Sequence, residues 1–282
     1  MLSNTILIIG KVNVGKSTLF NKLLTTKISI TSNKRNTTQK NIFGIQTQKN
    51  IQNVYIDTIG FKNILSIKNY ILKKKYLKIK KYELKKINVI LFVLEKNQII
   101  KHFKNINKII KFQKKIPIII VINKIDYITN KHSLLPVIKK IKILSHINII
   151  PISAKKKENI ENLKKIIDTY ACKVKNHNFN KYQKTNLSIQ EQIINIIKEK
   201  FFRNFYKELP YSNNIKIKSF KLNKKKEYII KVNVFIRKKS QKKIFIGKNG
   251  KKIKVCSIQA KKNIKKILKK KVHLFLTIKQ KK

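Results

Sequence analysis

The string Gly10-Lys-Val-Asn-Val-Gly15-Lys16-Ser17 lies between an apolar run at residues 6–9 and an amphipathic stretch carrying Thr18, Leu19, Leu23 and Leu24. No other feature constrains the chain so tightly. A strand that turns through two glycines into a Lys-Ser helix start leaves the first helix amides facing outward, which makes a seat for phosphate groups. The glycines let the backbone curl, Lys16 reaches the β- and γ-phosphates of a nucleotide, and the Ser17 hydroxyl can coordinate Mg²⁺. Gly10, Asn13, Val14 and Gly15 form the loop, and Thr18 follows in the first helical turn.

The rest of residues 1–172 agrees with such a turn. Near-continuous β-branched runs at 54–56, 89–94, 118–122 and 147–152 have the character of strands buried on both faces of a parallel sheet. Helical patterns separate them, as at 159–170, where Ile160, Leu163, Ile166, Ile167 and Tyr170 share a face. Alternating strands and helices imply a doubly wound α/β domain, with ligands held at the carboxyl ends of the strands.

Three further motifs fall at those ends. Asp57-Thr58-Ile59-Gly60 closes the second predicted strand; its carboxylate can hold Mg²⁺ through water and the Gly60 amide can sense a γ-phosphate. An Asp-x-x-Gly string by itself is also a common turn. Asn123-Lys124-Ile125-Asp126 carries base recognition: an ionised Asp126 accepts from guanine N1–H and its 2-amino group, a donor pair adenine lacks. Asn123 can bridge loops, the Lys124 stem can cover the base, and Ser153-Ala154 would bring backbone amides near guanine O6. Together these select GTP and GDP over ATP. Thr37 and Thr38 lie in a polar segment, 31–41, where either threonine could complete the Mg²⁺ shell once a γ-phosphate is present. Phe61 follows Gly60 and cannot orient a water, so intrinsic hydrolysis is expected to be slow.

Composition sharpens these assignments. The 282 residues carry 69 Lys or Arg against 11 Asp or Glu, a net charge of +58. Nucleic acid is the obvious partner for such a charge. Only Arg35, Arg203 and Arg237 are arginine, however, and Lys, Ile and Asn fill more than half of the chain. That skew has the look of codon drift on solvated faces. Where glycine and aspartate are so scarce, the survivors mark demanding positions: five of six glycines and two of three aspartates fall in the motifs described here. Cys172 and Cys256 lie far apart with no metal-ligand spacing, which fits a reducing cytoplasm. No leader precedes the first strand, and no apolar run is long enough to span a bilayer, so a soluble protein is expected.

Residues 173–187 lack periodicity and read as a linker. A second domain, 188–282, opens with a capping box, Ser188 with Glu191, on a helix carrying Ile193, Ile196, Ile197, Phe201 and Phe205. Strand-like segments at 214–222 and 228–235, the segment 244–250, a helix at 251–270 and a strand at 272–278 complete an αββααβ order of α+β type. Gly247-Lys248-Asn249-Gly250, followed by Lys251 and Lys252, places two glycines and a lysine cluster at a helix start. Such a loop can clamp a nucleic-acid backbone while bases lie across an adjoining apolar groove.

Taken together these residues resemble the bacterial Era GTPases over almost the whole chain. The likeness rests on Gly10 to Ser17 with its Asn13, on Ser17-Thr-Leu-Phe-Asn-Lys-Leu-Leu24, and on Thr37-Thr38 followed by Gly44-Ile45. In the second domain it rests on Glu208-Leu-Pro-Tyr-Ser212, Gln241-Lys-Lys-Ile, Ile246-Gly-Lys-Asn-Gly-Lys-Lys-Ile253 and Val272-His-Leu-Phe-Leu. The resemblance implies a P-loop GTPase domain followed by a type II KH domain, acting as a monomer. It implies a GTP-controlled factor in small (30S) ribosomal subunit assembly, whose KH domain holds the single-stranded 3′ end of 16S ribosomal RNA, more tightly in the GTP form. It selects Thr38 over Thr37 as the metal ligand, with Lys16, Thr38 and Gly60 as the catalytic set. It also implies a potassium ion at Asn13 and peripheral contact with the inner face of the cell membrane. Ile59 and Gln39 replace a proline and an arginine usual in that family, and the family's C-terminal extension has no counterpart after the last strand. Two other readings remain open at this stage: an RNA-binding module whose GTPase has decayed, and a GTPase directed to tRNA modification or to membranes.

Overall fold

In the computed structural model the described residues are 1–24, 28–30, 41–61, 63, 66–67, 78–79, 82–83, 87–112, 115–142, 147–205, 214–236 and 240–280. Thr37, Thr38, Gln39 and Glu208-Leu-Pro-Tyr-Ser212 lie outside them.

Each β-branched run forms the strand expected of it. In the first unit the order is β1 (Leu2–Ile9), α1 (Lys16–Leu23), β2 (Ile42–Gln48), β3 (Ile51–Asp57), a small antiparallel pair β4 (Lys78–Ile79) and β5 (Tyr82–Glu83), and β6 (Val89–Leu94). Then follow α2 (Lys96–Phe112), β7 (Ile118–Ile122), α3 (Leu135–Lys142), β8 (Asn148–Pro151), α4 (Ile160–Asp168) and β9 (Cys172–Lys173). The main sheet runs β2-β3-β1-β6-β7-β8, with β9 on the early part of β1. Pairings β1–β3, β1–β6, β6–β7 and β7–β8 are parallel, and β2–β3 and β1–β9 are antiparallel.

All residues of β6 and β7 are buried, because helices cover both faces of a parallel sheet. On one side Leu7, Ile9, Phe92 and Ile120 pack with Ile99, Ile106 and Ile109 of α2 and Ile141 of α3. Each such aliphatic side chain contributes about 1.5–3 kcal/mol by burial. On the other side α1 packs against β1, β3 and α4. The parallel strands therefore end together, at one edge, with Asp57, Asn123 and Ser153 just at or beyond their last residues.

Strand β2 was not anticipated. It is an antiparallel edge strand, and Gly44 in its middle allows a close approach to α1: a Cβ there would lie 2.1 Å from Leu24 Cδ1 and 2.7 Å from Phe20 Cζ.

The chain divides between Asn186 and Leu187. Residues 173–186, expected as a linker, therefore belong to the first unit and strap its sheet. Phe179 is buried edge-on against Phe43, with ring centroids 6.3 Å apart. The Gln52 amide holds the Phe179 backbone at both ends: Nε2 donates to its carbonyl (2.7 Å) and Oε1 accepts from its N–H (3.1 Å). Along β2, Thr185 Oγ1 donates to Phe43 O (2.7 Å) and Ile45 N donates to Lys184 O (2.9 Å). Side-chain amides and a hydroxyl fasten this segment, so it carries no hydrophobic period to read.

The second unit has the order α5 (Ile189–Asn204), β10 (Asn214–Leu222), β11 (Tyr228–Ile236), α6 (Gln241–Ile246), α7 (Lys251–Leu268) and β12 (Val272–Gln280). The sheet runs β10-β11-β12, antiparallel then parallel. Ser188 Oγ accepts from Glu191 N (3.2 Å) while the Glu191 carboxylate accepts from Ser188 N (3.0 Å), completing the anticipated capping box. Ile193, Ile197, Val232, Phe245, Ala260 and Ile264 fill a core of its own. Residues 244–246, apolar in sequence, are the last turn of the short helix α6.

Candidate functional site

The glycine loop turns directly from β1 into α1. Gly15 has φ +92°, a left-handed conformation, and caps α1 without a side-chain hydrogen bond. A Cβ at Gly15 would lie 2.3 Å from Asn123 Nδ2, which excludes any larger residue there. Asn13 also has positive φ, +65°, and its side chain is exposed at the loop's crest.

Lys16 is buried, and its ammonium donates to Lys11 O at 2.8 Å, curling back over the loop. Burial pushes its pKa down to about 8 while the Asp57 charge pulls it up. An ammonium so poorly hydrated gains strongly from a polyanion in the seat. Gly60 closes the other wall: a Cβ there would come within 3.1 Å of Lys16 Nζ and 2.9 Å of Val12 Cα. The Phe61 backbone is fastened to the loop, donating to Gly10 O (3.2 Å) and accepting from Val12 N (3.0 Å).

Asp57 is fully buried at the end of β3, close enough to Lys16 to raise its pKa, and its Oδ2 accepts from Ser29 Oγ at 2.7 Å. Ser17 begins α1 beside Lys16. A hydroxyl and a carboxylate are hard oxygen donors of the kind Mg²⁺ takes, so this donor set fits that ion. Among the described residues no group of three or more His, Cys, Asp or Glu offers a competing metal site.

The base-side loops meet through Asn123. Its Nδ2 donates to Val14 O (2.8 Å) and its Oδ1 accepts from Ala154 N (3.0 Å), so one buried amide ties the phosphate loop, the β7 end and the β8 end. Asp126 sits in a 3₁₀ turn after Lys124, which itself has φ +68°. Ser153 Oγ donates to Asp126 Oδ1 (2.7 Å) and accepts from Lys156 N (3.0 Å), fixing the carboxylate's orientation. Lys124 Nζ pairs with Glu95 Oε1 at 2.7 Å, which holds its stem across the same edge.

Ser153 N donates to Glu158 O and Ala154 N donates to Asn123 Oδ1, so these two residues also brace Asp126 and Asn123. Ser29, Asn21 and Glu95 were not anticipated as site residues: no short motif surrounds Ser29 or Glu95, and Asn21, within the string 17–24, was given no role there.

In the second unit Gly247-Lys248-Asn249-Gly250 joins α6 to α7 through three positive φ values: +72° at Gly247, +52° at Asn249 and +72° at Gly250. A Cβ at Gly247 would lie 2.7 Å from Lys252 Cγ, so the loop doubles back tightly on the first turn of α7. Gly250 caps α7 with no side-chain bond, and the first amide of α7, Lys251 N, donates to Lys248 O, with Lys248, Lys251 and Lys252 exposed around the turn. Phe245, fully buried against Phe201 and Phe205 (centroids 5.5 and 4.9 Å), anchors the loop's other side. Ile244 and Val255 remain exposed on the helices flanking it.

Comparison with known proteins agrees with both sites. Residues 5–124 match the family described as 50S ribosome-binding GTPase, and residues 208–282 match the KH domain family. GTPase Era of Buchnera aphidicola subsp. Acyrthosiphon pisum (strain Tuc7) is 41% identical, covering 98% of this chain and 96% of the relative. GTPase Era of Histophilus somni (strain 129Pt) is 36% identical over 98% of the chain and 91% of its own length. A crystal structure of Era with MgGDPNP and nucleotides 1506–1542 of 16S ribosomal RNA superposes with a TM-score of 0.83 at 30% identity, covering 100% of this chain and 94% of that one. An Aquifex aeolicus Era variant bound to GDP·AlF4⁻ gives a TM-score of 0.85 at 30% identity with the same coverage. With both domain families matched in chain order and relatives of up to 41% identity covered almost end to end, the chain belongs to the GTPase Era family.

Proposed function

We propose that this GTPase is a switch that binds the 3′ end of 16S ribosomal RNA through its KH domain and assists assembly of the small ribosomal subunit. The observation that carries the reading is the α6–α7 loop. Its tight Gly247–Gly250 turn, exposed Lys248, Lys251 and Lys252 and the neighbouring apolar Ile244 and Val255 suit a single-stranded backbone and its bases. A relative of the same fold, 94% of whose length this chain covers, was crystallised with nucleotides of 16S RNA, which belongs to the small subunit.

At the nucleotide site, Gly10, Asn13, Val14 and Gly15 wrap the phosphates, and the amides of Lys16, Ser17 and Thr18 face them from the helix start. Lys16 exchanges Lys11 O for β- and γ-phosphate oxygens. Ser17, Asp57 and, from outside the described residues, Thr38 would hold Mg²⁺. That ion, when bound, would supply positive charge to offset the charge that develops on the phosphate oxygens. Asp126 accepts from the guanine N1–H and 2-amino group, Lys124 covers the base, and Asn123, Ser153 and Ala154 hold the edge in register. Water attacks the γ-phosphorus, and the bond to the bridging oxygen breaks to leave GDP and phosphate. Gly60 lies beside Lys16 Nζ, which supports the role of its amide as a sensor of the γ-phosphate that Lys16 binds. Phe61 provides no base, and a potassium ion at the exposed Asn13 would add positive charge to the same phosphates.

The protein would act as a monomer in the cytoplasm, with electrostatic contact to the inner face of the membrane. No described helix is long and apolar enough to cross one. Replacing Lys248 and Asn249 together with Asp tests the reading. A 16S 3′-end oligonucleotide should bind at least tenfold more weakly while GDP affinity is unchanged. Equal RNA affinity, or preference for tRNA or anionic vesicles, would refute it.

A further inference from the structure

We propose that Ser29 is a positioning residue for the magnesium site, holding the Asp57 carboxylate in the orientation the metal needs. The proposal rests on the reading of Asp57 as the metal-side carboxylate. Ser29 is 1% exposed, and its Oγ donates to Asp57 Oδ2 at 2.7 Å. Thr58, next along the chain from Asp57, is turned away: its hydroxyl donates to Ile8 O at 2.7 Å.

Ser29 is itself held at both its N–H and its carbonyl by one residue, which also accepts from Ile28 N. Asn21 Oδ1 accepts from Ile28 N (2.8 Å) and Ser29 N (2.9 Å), while Asn21 Nδ2 donates to Ser29 O (2.9 Å). Asn21 lies on α1, the helix that begins at Lys16 and carries Ser17. The path Ser17–α1–Asn21–Ser29–Asp57 therefore joins the two metal-side oxygen donors by one rigid helix and four short hydrogen bonds. A buried carboxylate rotates easily about its last bond unless a donor fixes it, and a charge-assisted bond to a hydroxyl does so at small desolvation cost. Ser29 leaves Oδ2 committed and keeps the carboxylate plane set for an outer-sphere metal contact.

Mg²⁺-dependent retention of GDP reads this directly, without hydrolysis. Release of a fluorescent GDP from the full chain is followed against Mg²⁺ concentration and in excess EDTA. Ser29→Ala removes one charge-assisted bond, so half-maximal slowing should need roughly tenfold more Mg²⁺, with the EDTA release rate unchanged. Asn21→Ala should shift the same Mg²⁺ dependence, and the double variant should be no worse than the poorer single one. Release accelerated equally with and without Mg²⁺, an unshifted Mg²⁺ dependence, or additive effects would each overturn the proposal. Asp57→Ala serves as reference. If it leaves the Mg²⁺ dependence intact, the assignment of Asp57 itself has failed, and the role of Ser29 falls with it.

Discussion

Replacing Asn123 with Ala removes the one side chain that joins three loops of the nucleotide site. Two partners lose their bonds: Val14 O, bound at 2.8 Å, and Ala154 N, bound at 3.0 Å. Asn123 is 3% exposed, so water cannot replace its amide without opening the edge. A buried polar group left without a partner costs about 1–3 kcal/mol, which gives about 2–6 kcal/mol for the pair. Against a domain stability of about 5–15 kcal/mol the variant should still fold, but visibly less stably. Urea unfolding monitored by circular dichroism measures this, and the transition of the nucleotide domain is the one that moves when GDP is added. Its free energy should fall by at least about 2 kcal/mol, and GDP should bind at least tenfold more weakly. A change below about 0.5 kcal/mol with unchanged GDP affinity would mean that the loops are held by something else, and the bracing assigned to Asn123 would be wrong.

Three other outcomes follow from particular contacts. Asp126→Asn exchanges an acceptor for a donor at the guanine edge, so GTP affinity should drop roughly a hundredfold and xanthosine triphosphate should become a ligand; undiminished GTP binding would refute the base assignment. Phe179→Ala empties a buried aromatic site between Gln52 and Phe43 and should cost the first unit about 3–5 kcal/mol; a loss below about 1 kcal/mol in urea unfolding would return residues 173–186 to the status of a loose connector. In the second unit the Lys271 ammonium first, and then His273, hold the Glu227 carboxyl at about 2, below its ordinary 4.5. A depressed acid stabilises the fold fully above pH 4.5 and loses that contribution as pH falls toward 2. The melting-temperature gap between the wild type and Glu227→Gln should narrow through that window, and a constant gap would contradict it.

Much of the fold was readable because local and global signals coincide. Residues 89–94 and 118–122 are apolar without interruption, and only a covered parallel sheet suits that. Ser188 and Glu191 gave a helix start through a reciprocal pair that depends on spacing alone. Other parts left no local trace. Strand β2 has three apolar residues interrupted by a glycine and then three polar ones, without a strand's alternation, and it becomes a strand by pairing with β3. Residues 173–186 are ordered by Gln52 and Phe43, which lie more than a hundred positions earlier in the sequence. At the site, Lys16, Asp57, Asn123 and Asp126 stand in motifs because the chemistry fixes both residue type and spacing. Ser29 and Glu95 act on those residues from separate loops, where nothing in the neighbouring sequence distinguishes one serine or glutamate from another. The bonds of the Ser153 and Ala154 amides were illegible for a related reason: a motif gives position, and bond direction depends on the nearby acceptors Glu158 O and Asn123 Oδ1.

The central claim is that guanine nucleotide controls RNA binding. Titrating the 16S 3′-end oligonucleotide into protein saturated with a non-hydrolysable GTP analogue or with GDP tests it directly, repeated across salt concentrations. The GTP form should bind more tightly at every salt, with a slope corresponding to a handful of phosphate contacts. Identical affinities in the two nucleotide states would contradict the switch. A slope demanding dozens of contacts would mean that the lysine-rich exterior, rather than the α6–α7 loop, holds the RNA.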